Sequence, residues 1–467
     1  MVHGRYFEAV DYLQRRLWHE LPIVPVERAL QHRVLQVLAH LGDPHLAFPA
    51  IHVAGSAGKG STAAIAASIL RAAGLRTGIY TKPHLQTFIE RADVDGRLMA
   101  SDAFAEAVLG LDPLVRKMHL DVIDGVGFGR PSLVEVAFAV CMRHFADERV
   151  DVAVVEAGLG GRTDYSNVFD EKAATIITNV SYEHRERLGW SLPSIAEEKA
   201  AIIRRDPVIT GASGEALRVI AARCASSGAP LLRLKHEVRA LIASADARGS
   251  KISIRTPSRR IERARLALAG AHQAENAALA VAAVDAYAAS TGIDISDEQI
   301  RSGLASVRLS GRLEQVQDRP RVLLDAAHNP AEARRFAQTV RDHWLAGGPR
   351  VHLVAGILAD KDQAPMVRAF ASIADRVLLT QPPLGERIGD PSRMLALFRR
   401  ELGDANVRFE PSHDRAFDIA LADASAGDLI CVTGSMFLVG ALRERWVPER
   451  RILERRTAAL EVDRSGG

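Results

Sequence analysis

Short apolar runs recur along this chain, each followed by a stretch with helical spacing. That alternation restricts the fold more than any other feature. "RTGIYT" (76–81), "DVAVVEA" (151–157), "ATIITNV" (174–180) and "DPVITG" (206–211) read as short buried strands. "SLVEVAFAVCMRHFA" (132–146) and "PSIAEEKAAIIRR" (193–205) read as helices. Strands that alternate with helices imply a parallel sheet covered by helices on its faces. From about Val238 to Ala269 the pattern changes to turn-punctuated alternation ("KISIRT", "IERARLALAG"), which predicts a small antiparallel sheet. The helical stretch "AHQAENAALAVAAVDAYAAS" follows. The chain then turns polar at "VRLSGRLEQVQDRPR", and a domain boundary is expected at about Leu309. Beyond it "RVLLDAA", "RVHLVAG", "DRVLLTQ" and "DLICVTG" alternate with helices again. The expected class is therefore α/β, with domains at 1–308 and 309–467. The first is a mostly parallel sheet domain with the small antiparallel sheet; the second is a smaller α/β domain. Two short helices are expected before the first strand, within 6–17 and 26–42. A charged helix and a frayed end are expected after the last, its arginines forming a solvated face.

Length and charge narrow the function. A chain of 467 residues exceeds one ordinary core and suits two or three domains. Its net charge of +3 lacks the basic stripe of a nucleic-acid binder. Cys141, Cys224 and Cys431 are too few and too scattered for a disulfide framework or a cysteine metal site. No apolar run reaches the roughly 18 residues a membrane span needs, and the first twenty residues have no apolar signal core. A cytoplasmic protein without nucleic-acid or membrane partners is the expectation.

Three stretches carry chemistry. "IHVAGSAGKGST" (51–62) runs from an apolar strand into a glycine loop and an Ala-rich helix. Gly55, Gly58 and Gly60 free the backbone to aim N–H groups at an anion. Lys59 can neutralise β- and γ-phosphates, and Ser61 or Thr62 can offer a hydroxyl to Mg²⁺. The strict G-x-x-x-x-G-K-[ST] spacing fails: Val53 stands at the first glycine and Gly60 separates Lys59 from Ser61. The second stretch is "VVEAGLGGRTDYSNV" (154–168). Glu156 ends a strand, as a helix cap or as a Mg²⁺ ligand at the edge where such sheets bind ligands. Asp164 and Asn167 supply polar ends to that loop. In the third, His184 follows another strand end, and Lys199 lies among acids, where a surface ion pair is the default.

The order of these and further motifs resembles the Mur-ligase superfamily and, within it, the folylpolyglutamate synthase/dihydrofolate synthase family. The resemblance runs from about Tyr6 to about Arg443. It rests on the 55–62 loop, "YTKPHL" (80–85), the 156–167 loop, "YEH" (182–184) and "EEKAAII" (197–203). It continues through "GAHQAENA" (270–277), "SGRLE" (310–314), "LDAAHNP" (324–330), "ADKD" (359–362) and "TGSMFLVG" (433–440). Each is weak alone; ten in order are not. The resemblance implies a P-loop-type first domain and a Rossmann-like glutamate ligase domain. It implies ATP, two Mg²⁺ ions and a monovalent cation such as K⁺ as a further candidate. By the same resemblance Lys59 and Ser61 hold the triphosphate and the first Mg²⁺, with Glu156 and His184 completing that ion's protein ligands. Lys199 matches a lysine that the family carbamylates to hold a second Mg²⁺. Asn276 and Arg312 contact the nucleotide, Asp325 binds on its side of the second domain, and His328 and Asn329 lie near the incoming amino acid.

The implied reaction adds L-glutamate to dihydropteroate, to a reduced folate, or to both, through an acyl phosphate, in a monomer whose two domains enclose the site. Four departures from the usual family motifs stand out: Ser56-Ala57 in the loop, Lys82 for a serine, Glu183 for an aspartate and Ala326 for a glycine. Lys82 reads either as a solvated loop lysine or as a contact to an acidic substrate. The other readings are a Mur-like ligase with a different carboxylate acceptor, a nucleotide-driven switch, and a nucleotide-binding paralogue without ligase activity.

Overall fold

The computed structural model describes residues 3–17, 29–123, 127–383 and 390–460. The start of the second expected helix (26–28) and the last seven residues lie outside them. Among the described residues, the larger sheet has eight strands. They are β1 (Ala50–Ala54), β2 (Thr77–Tyr80), β3 (Ala92–Val94), β4 (Arg97–Leu98), β5 (Val152–Glu156), β6 (Ala174–Ile177), β7 (Val208–Thr210) and β8 (Leu231–Arg233). Their order is β4-β3-β2-β5-β1-β6-β7-β8, with every pairing parallel except β2–β3 and β3–β4, which are antiparallel at one edge. Every residue of β1, β5 and β6 is buried. This is why these strands read as continuous apolar runs rather than as alternating ones.

Helix Lys59–Ala72 packs under this sheet together with His272–Thr291, whose buried residues are mainly alanine, leucine and valine. Gly303 sits where a Cβ would come 2.4 Å from the Ile69 Cα, so only glycine lets helix Asp297–Ser306 approach this closely. The anticipated antiparallel sheet is present as β9 (Arg239–Asp246), β10 (Gly249–Arg255) and β11 (Arg260–Leu266). Its inward Ile252, Ile254, Ile261 and Leu266 extend the core beneath the phosphate loop's helix.

The second sheet has six strands among the described residues: β12 (Glu314–Asp318), β13 (Arg321–Asp325), β14 (Val351–Ala355), β15 (Arg376–Leu379), β16 (Val407–Phe409) and β17 (Leu429–Thr433). The order is β12-β13-β17-β14-β15-β16, with β12 antiparallel and the rest parallel. This is the smaller Rossmann-like unit.

The solvated face expected of the C-terminal arginines is not what forms throughout. Arg443 is fully buried, and its guanidinium donates to Glu314 at 2.7 and 2.8 Å, Gln86 at 2.6 Å and the Ala458 carbonyl at 2.6 Å. Among the described arginines of this segment, Arg445, Arg450 and Arg455 are exposed, and Arg451 and Arg456 are partly buried. The chain then returns to the first sheet: Val447, Ile452 and Leu453 join its core, and Arg456 exchanges hydrogen bonds with the Leu98 backbone of β4. A buried carboxylate stripped of its guanidinium is costly. Arg443→Ala should therefore lower unfolding free energy by about 3–5 kcal/mol, read as a fall in Tm.

Candidate active site

Strand register decides which loops meet. β1 lies between β5 and β6, with Val53 opposite Glu156 and Ala54 opposite Ile177, while Tyr80 of β2 lies opposite Val155. The carboxyl ends of β2, β5, β1 and β6 therefore deliver Lys82, Glu156, the Gly55–Ser61 loop and the 178–184 segment to one edge. On the second sheet β13 ends at Asp325, followed by His328, Asn329 and helix Pro330–His343. A cleft of about 1530 Å³ separates the two edges. It is lined by Gly55, Gly58, Lys59, Gly60, Ser61, Lys82, Glu156, His184 and Lys199 from one side, and Arg312, Asp325, His328 and Asn329 from the other.

The phosphate loop is pinned to the segment after β6. The Ser56 N–H donates to the Asn179 carbonyl, and its hydroxyl bonds both ends of Ser181. The Asn179 carboxamide accepts from the Ala57 N–H at 3.0 Å and donates to the Ala57 carbonyl at 3.1 Å. An amide thus reaches the loop from β6 at the position where Ala57 brings none. Gly58 holds φ +83° with the Asn276 carboxamide behind it, where a Cβ would lie 2.6 Å from Oδ1. Asn276 is buried, donates to Gln273, and Gln273 reaches the Ser61 hydroxyl at 3.4 Å. Neither Asn276 nor Thr62 lines the cleft; the Thr62 hydroxyl is buried without a hydrogen-bond partner.

Two ammonium groups converge on one carbonyl. Lys59 Nζ and Lys199 Nζ each donate to the Gly55 oxygen at 3.0 Å, and Lys199 also pairs with Glu183 at 2.6 Å. The surface ion pair that its acidic neighbours suggested for Lys199 is not found. Glu197 and Glu198 point elsewhere on the helix, and Lys199 is 1% exposed. Burial pulls the Lys199 ammonium down from its usual range, against the opposing pull of Glu183. Burial likewise pushes the Glu156 carboxyl up, and the charges of Lys59 and Lys82 offset this only in part. Lys82 itself is drawn down to about 8 by burial and by Lys59, and Glu156 opposes the shift. His184 is the left-handed residue before a short helix, φ 42°; burial holds its imidazole toward the neutral form. Asp164 staples the 158–164 loop by accepting the N–H groups of Gly158, Leu159 and Ser166.

Across the cleft, Arg312 faces Glu332, Asp325 and Glu156, which together outweigh the burial that would favour its neutral form. Glu332, not singled out in the sequence, accepts the His328 N–H and lies 3.1 Å from its ring Nδ1. The His328 Nδ1 also touches the Ala326 carbonyl at 3.0 Å, so that nitrogen carries the hydrogen and Nε2 is left for a ligand. The only sequence signal for Glu332 was its place three residues after Asn329, which reads as a capping box.

Asp325 accepts from the Leu313 and Ala327 N–H groups, yet burial lifts its carboxyl to about 6 from an ordinary 3.8. A carboxyl raised in the folded state binds more protons folded than unfolded between those values, so its contribution to stability falls as pH rises from about 4 to about 6. Asp325→Asn removes that titration. The variant's stability relative to the parent should rise by roughly 3 kcal/mol between pH 4 and pH 7. Parallel unfolding curves across that range would refute the assignment.

A glycine loop, three lysines and a carboxylate at a parallel-sheet edge, facing an arginine of a second α/β unit, define an ATP-dependent ligase of the Mur class. The Mur ligase middle domain matches residues 132–284, and the Mur ligase glutamate ligase domain matches residues 311–436. More particularly, the chain belongs to the folylpolyglutamate synthase/dihydrofolate synthase family. It is 32% identical to the dihydrofolate synthase/folylpolyglutamate synthase of Bacillus subtilis (strain 168), over 88% of this chain and 94% of that one. It superposes on Mycobacterium tuberculosis folylpolyglutamate synthase complexed with ADP with a TM-score of 0.84 at 30% identity, covering 95% and 98% of the two chains. An FPGS–AMPPCP–folate complex gives a TM-score of 0.79 at 30% identity, with 94% and 99% covered.

Proposed function

We propose that the protein uses ATP to join L-glutamate to dihydropteroate, to a (tetrahydro)folate, or to both. The observation that carries this is the convergence of the Lys59 loop, Glu156 and Lys199 on one sheet edge, opposite Arg312 and His328. A carboxylate is a poor acyl donor because its charge repels nucleophiles and oxide leaves badly. Its oxygen attacks the γ-phosphorus, ADP departs, and an acyl phosphate results. The glutamate amine then adds to the acyl carbon, the tetrahedral intermediate expels phosphate, and the amine proton is lost as the amide forms.

The loop N–H groups of Gly58 to Ser61 and the helix N-terminus behind them bind the β- and γ-phosphates. Lys59 leaves the Gly55 carbonyl for the phosphate oxygens, and Arg312 takes up charge on the transferring group from the opposite side. Thr62 and Asn276 back this loop, and Asp325 fixes the Leu313 backbone beside Arg312. Glu332 orients His328 toward the incoming amino acid. Magnesium, when bound, would neutralise the phosphate oxygens. Ser61 and the neutral His184 suit it as donors, together with Lys199 once a carbamate replaces its ammonium; Glu156 and Glu183 are carboxylates at the same edge. Division into residues 1–308 and 309–467, a monomeric state and a cytoplasmic location belong to the same proposal.

The test is incubation with MgATP, L-glutamate and either dihydropteroate or tetrahydrofolate, following ADP release and product mass. Acceptor-dependent ADP and a product heavier by one glutamyl residue are expected. ADP released without acceptor would indicate a hydrolase, and no ADP in any mixture a paralogue without ligase activity.

A further inference from the structure

The mechanism above makes no use of Lys82. It leaves the sheet from the end of β2, directly beside Glu156 of β5. Its N–H reaches Glu156 Oε2 at 3.4 Å. That same oxygen lies against Gly60, 3.3 Å from where a Cβ would be, so the carboxylate is flanked by the phosphate loop on one side and the Lys82 segment on the other. The ammonium charges of Lys59 and Lys82 are the two largest pulls against the burial that raises the Glu156 carboxyl.

The segment is fixed rather than loose. Glu90 accepts the N–H groups of Leu85, Gln86 and Thr87, and the Leu85 carbonyl packs against Gly440 of helix Met436–Arg443, where a Cβ would come within 2.1 Å. Gln86 is held by Arg443, Glu444 and the Val447 carbonyl. Lys59 and Lys82 both line the cleft that Glu156 lines, so a divalent ion on Glu156 would face two lysine side chains, one of them on a backbone held in place.

We propose that the Lys82 ammonium takes the place of one divalent ion beside Glu156, so that the nucleotide is held with a single Mg²⁺ on the His184 and Lys199 side. This rests on the nucleotide reading above and changes its ion count. The ammonium donates hydrogen bonds to phosphoryl oxygens where an ion would coordinate them, and Glu156 balances its charge instead of binding metal.

The test counts Mn²⁺ by electron paramagnetic resonance per AMPPCP bound to the whole chain, with bicarbonate present. One bound Mn²⁺ is expected for the unaltered protein and for Lys82→Arg, and two for Lys82→Ser. Glu156→Gln should leave the count at one in the parent and return it to one in the Lys82→Ser background. Two ions in the unaltered protein, or a fall in Mn²⁺ retention on Glu156→Gln alone, overturns the inference even where Lys82→Ser fails to fold. Failure to bind AMPPCP at all overturns the nucleotide reading with it.

Discussion

Lys59→Ala should lower turnover by about a hundredfold or more while the fold survives. The hydrogen bond that Lys59 makes within the protein is to the Gly55 carbonyl, and its side chain stands in the cleft rather than in either core. Its removal leaves no core cavity, and the Gly55 carbonyl keeps the Lys199 ammonium as a donor, so Tm should move little. Catalytically the loss is twofold. The phosphates lose a preorganised cation, by analogy worth roughly 3 kcal/mol or about a hundredfold in rate. Glu156 also loses the largest of the charges that oppose its burial, so its carboxyl drifts further toward the neutral form. Steady-state ADP release and a thermal melt on the same preparation check this. Turnover within tenfold of the parent would refute the role of Lys59.

Replacement of Lys199 separates an ion pair from a metal-holding carbamate. The structure shows an ion pair with Glu183, and both side chains are largely withdrawn from water. Were that its whole role, Lys199→Ala would destabilise the protein but leave its folded fraction active, and Lys199→Arg would restore both properties. A carbamate requires a nitrogen that can take up CO₂, which a guanidinium does not provide. Lys199→Ala and Lys199→Arg should both lose about a hundredfold or more in turnover, Lys199→Arg with a near-parental Tm, and added bicarbonate should rescue neither. A ¹³C carbamate resonance from labelled bicarbonate should appear in the parent and vanish in Lys199→Ala. Full activity in Lys199→Arg would eliminate the carbamate. The depressed lysine suits either outcome, because burial that disfavours the ammonium also exposes the nucleophilic amine.

Much of this site can be read along the chain. Each of the quoted apolar runs contains a strand, and the glycine loop sits between β1 and a helix that starts at Lys59. Glu156 closes β5, and the change of pattern near Val238 marks the antiparallel sheet. These features are local: burial on both faces of a parallel strand demands an uninterrupted apolar run, and a tight anion loop demands glycine. The helix expected over 193–205 is shorter, Leu192–Ala200, because Ala201–Arg205 turns away to lead into β7. No periodicity marks that stop.

Other relations had no local signature. Glu183 meets Lys199 across 16 residues, Lys199 meets Gly55 across 144, and Arg456 meets Leu98 across 358. Asn179 supplies an amide to Ala57 from the segment after β6, and Glu332 turns from its apparent capping role to hold His328 and face Arg312. Arg443 looks like one more tail arginine until the fold buries it between Glu314 and Gln86. Which groups share a charge environment depends on which strands lie side by side, and the order β2-β5-β1-β6 is not the order of the chain. Composition and periodicity settle what each segment becomes, since the free energy of a strand, helix or glycine turn is set mostly by its own residues. Partnership is settled by packing, since an electrostatic pair exists only where the tertiary fold brings its members together away from water.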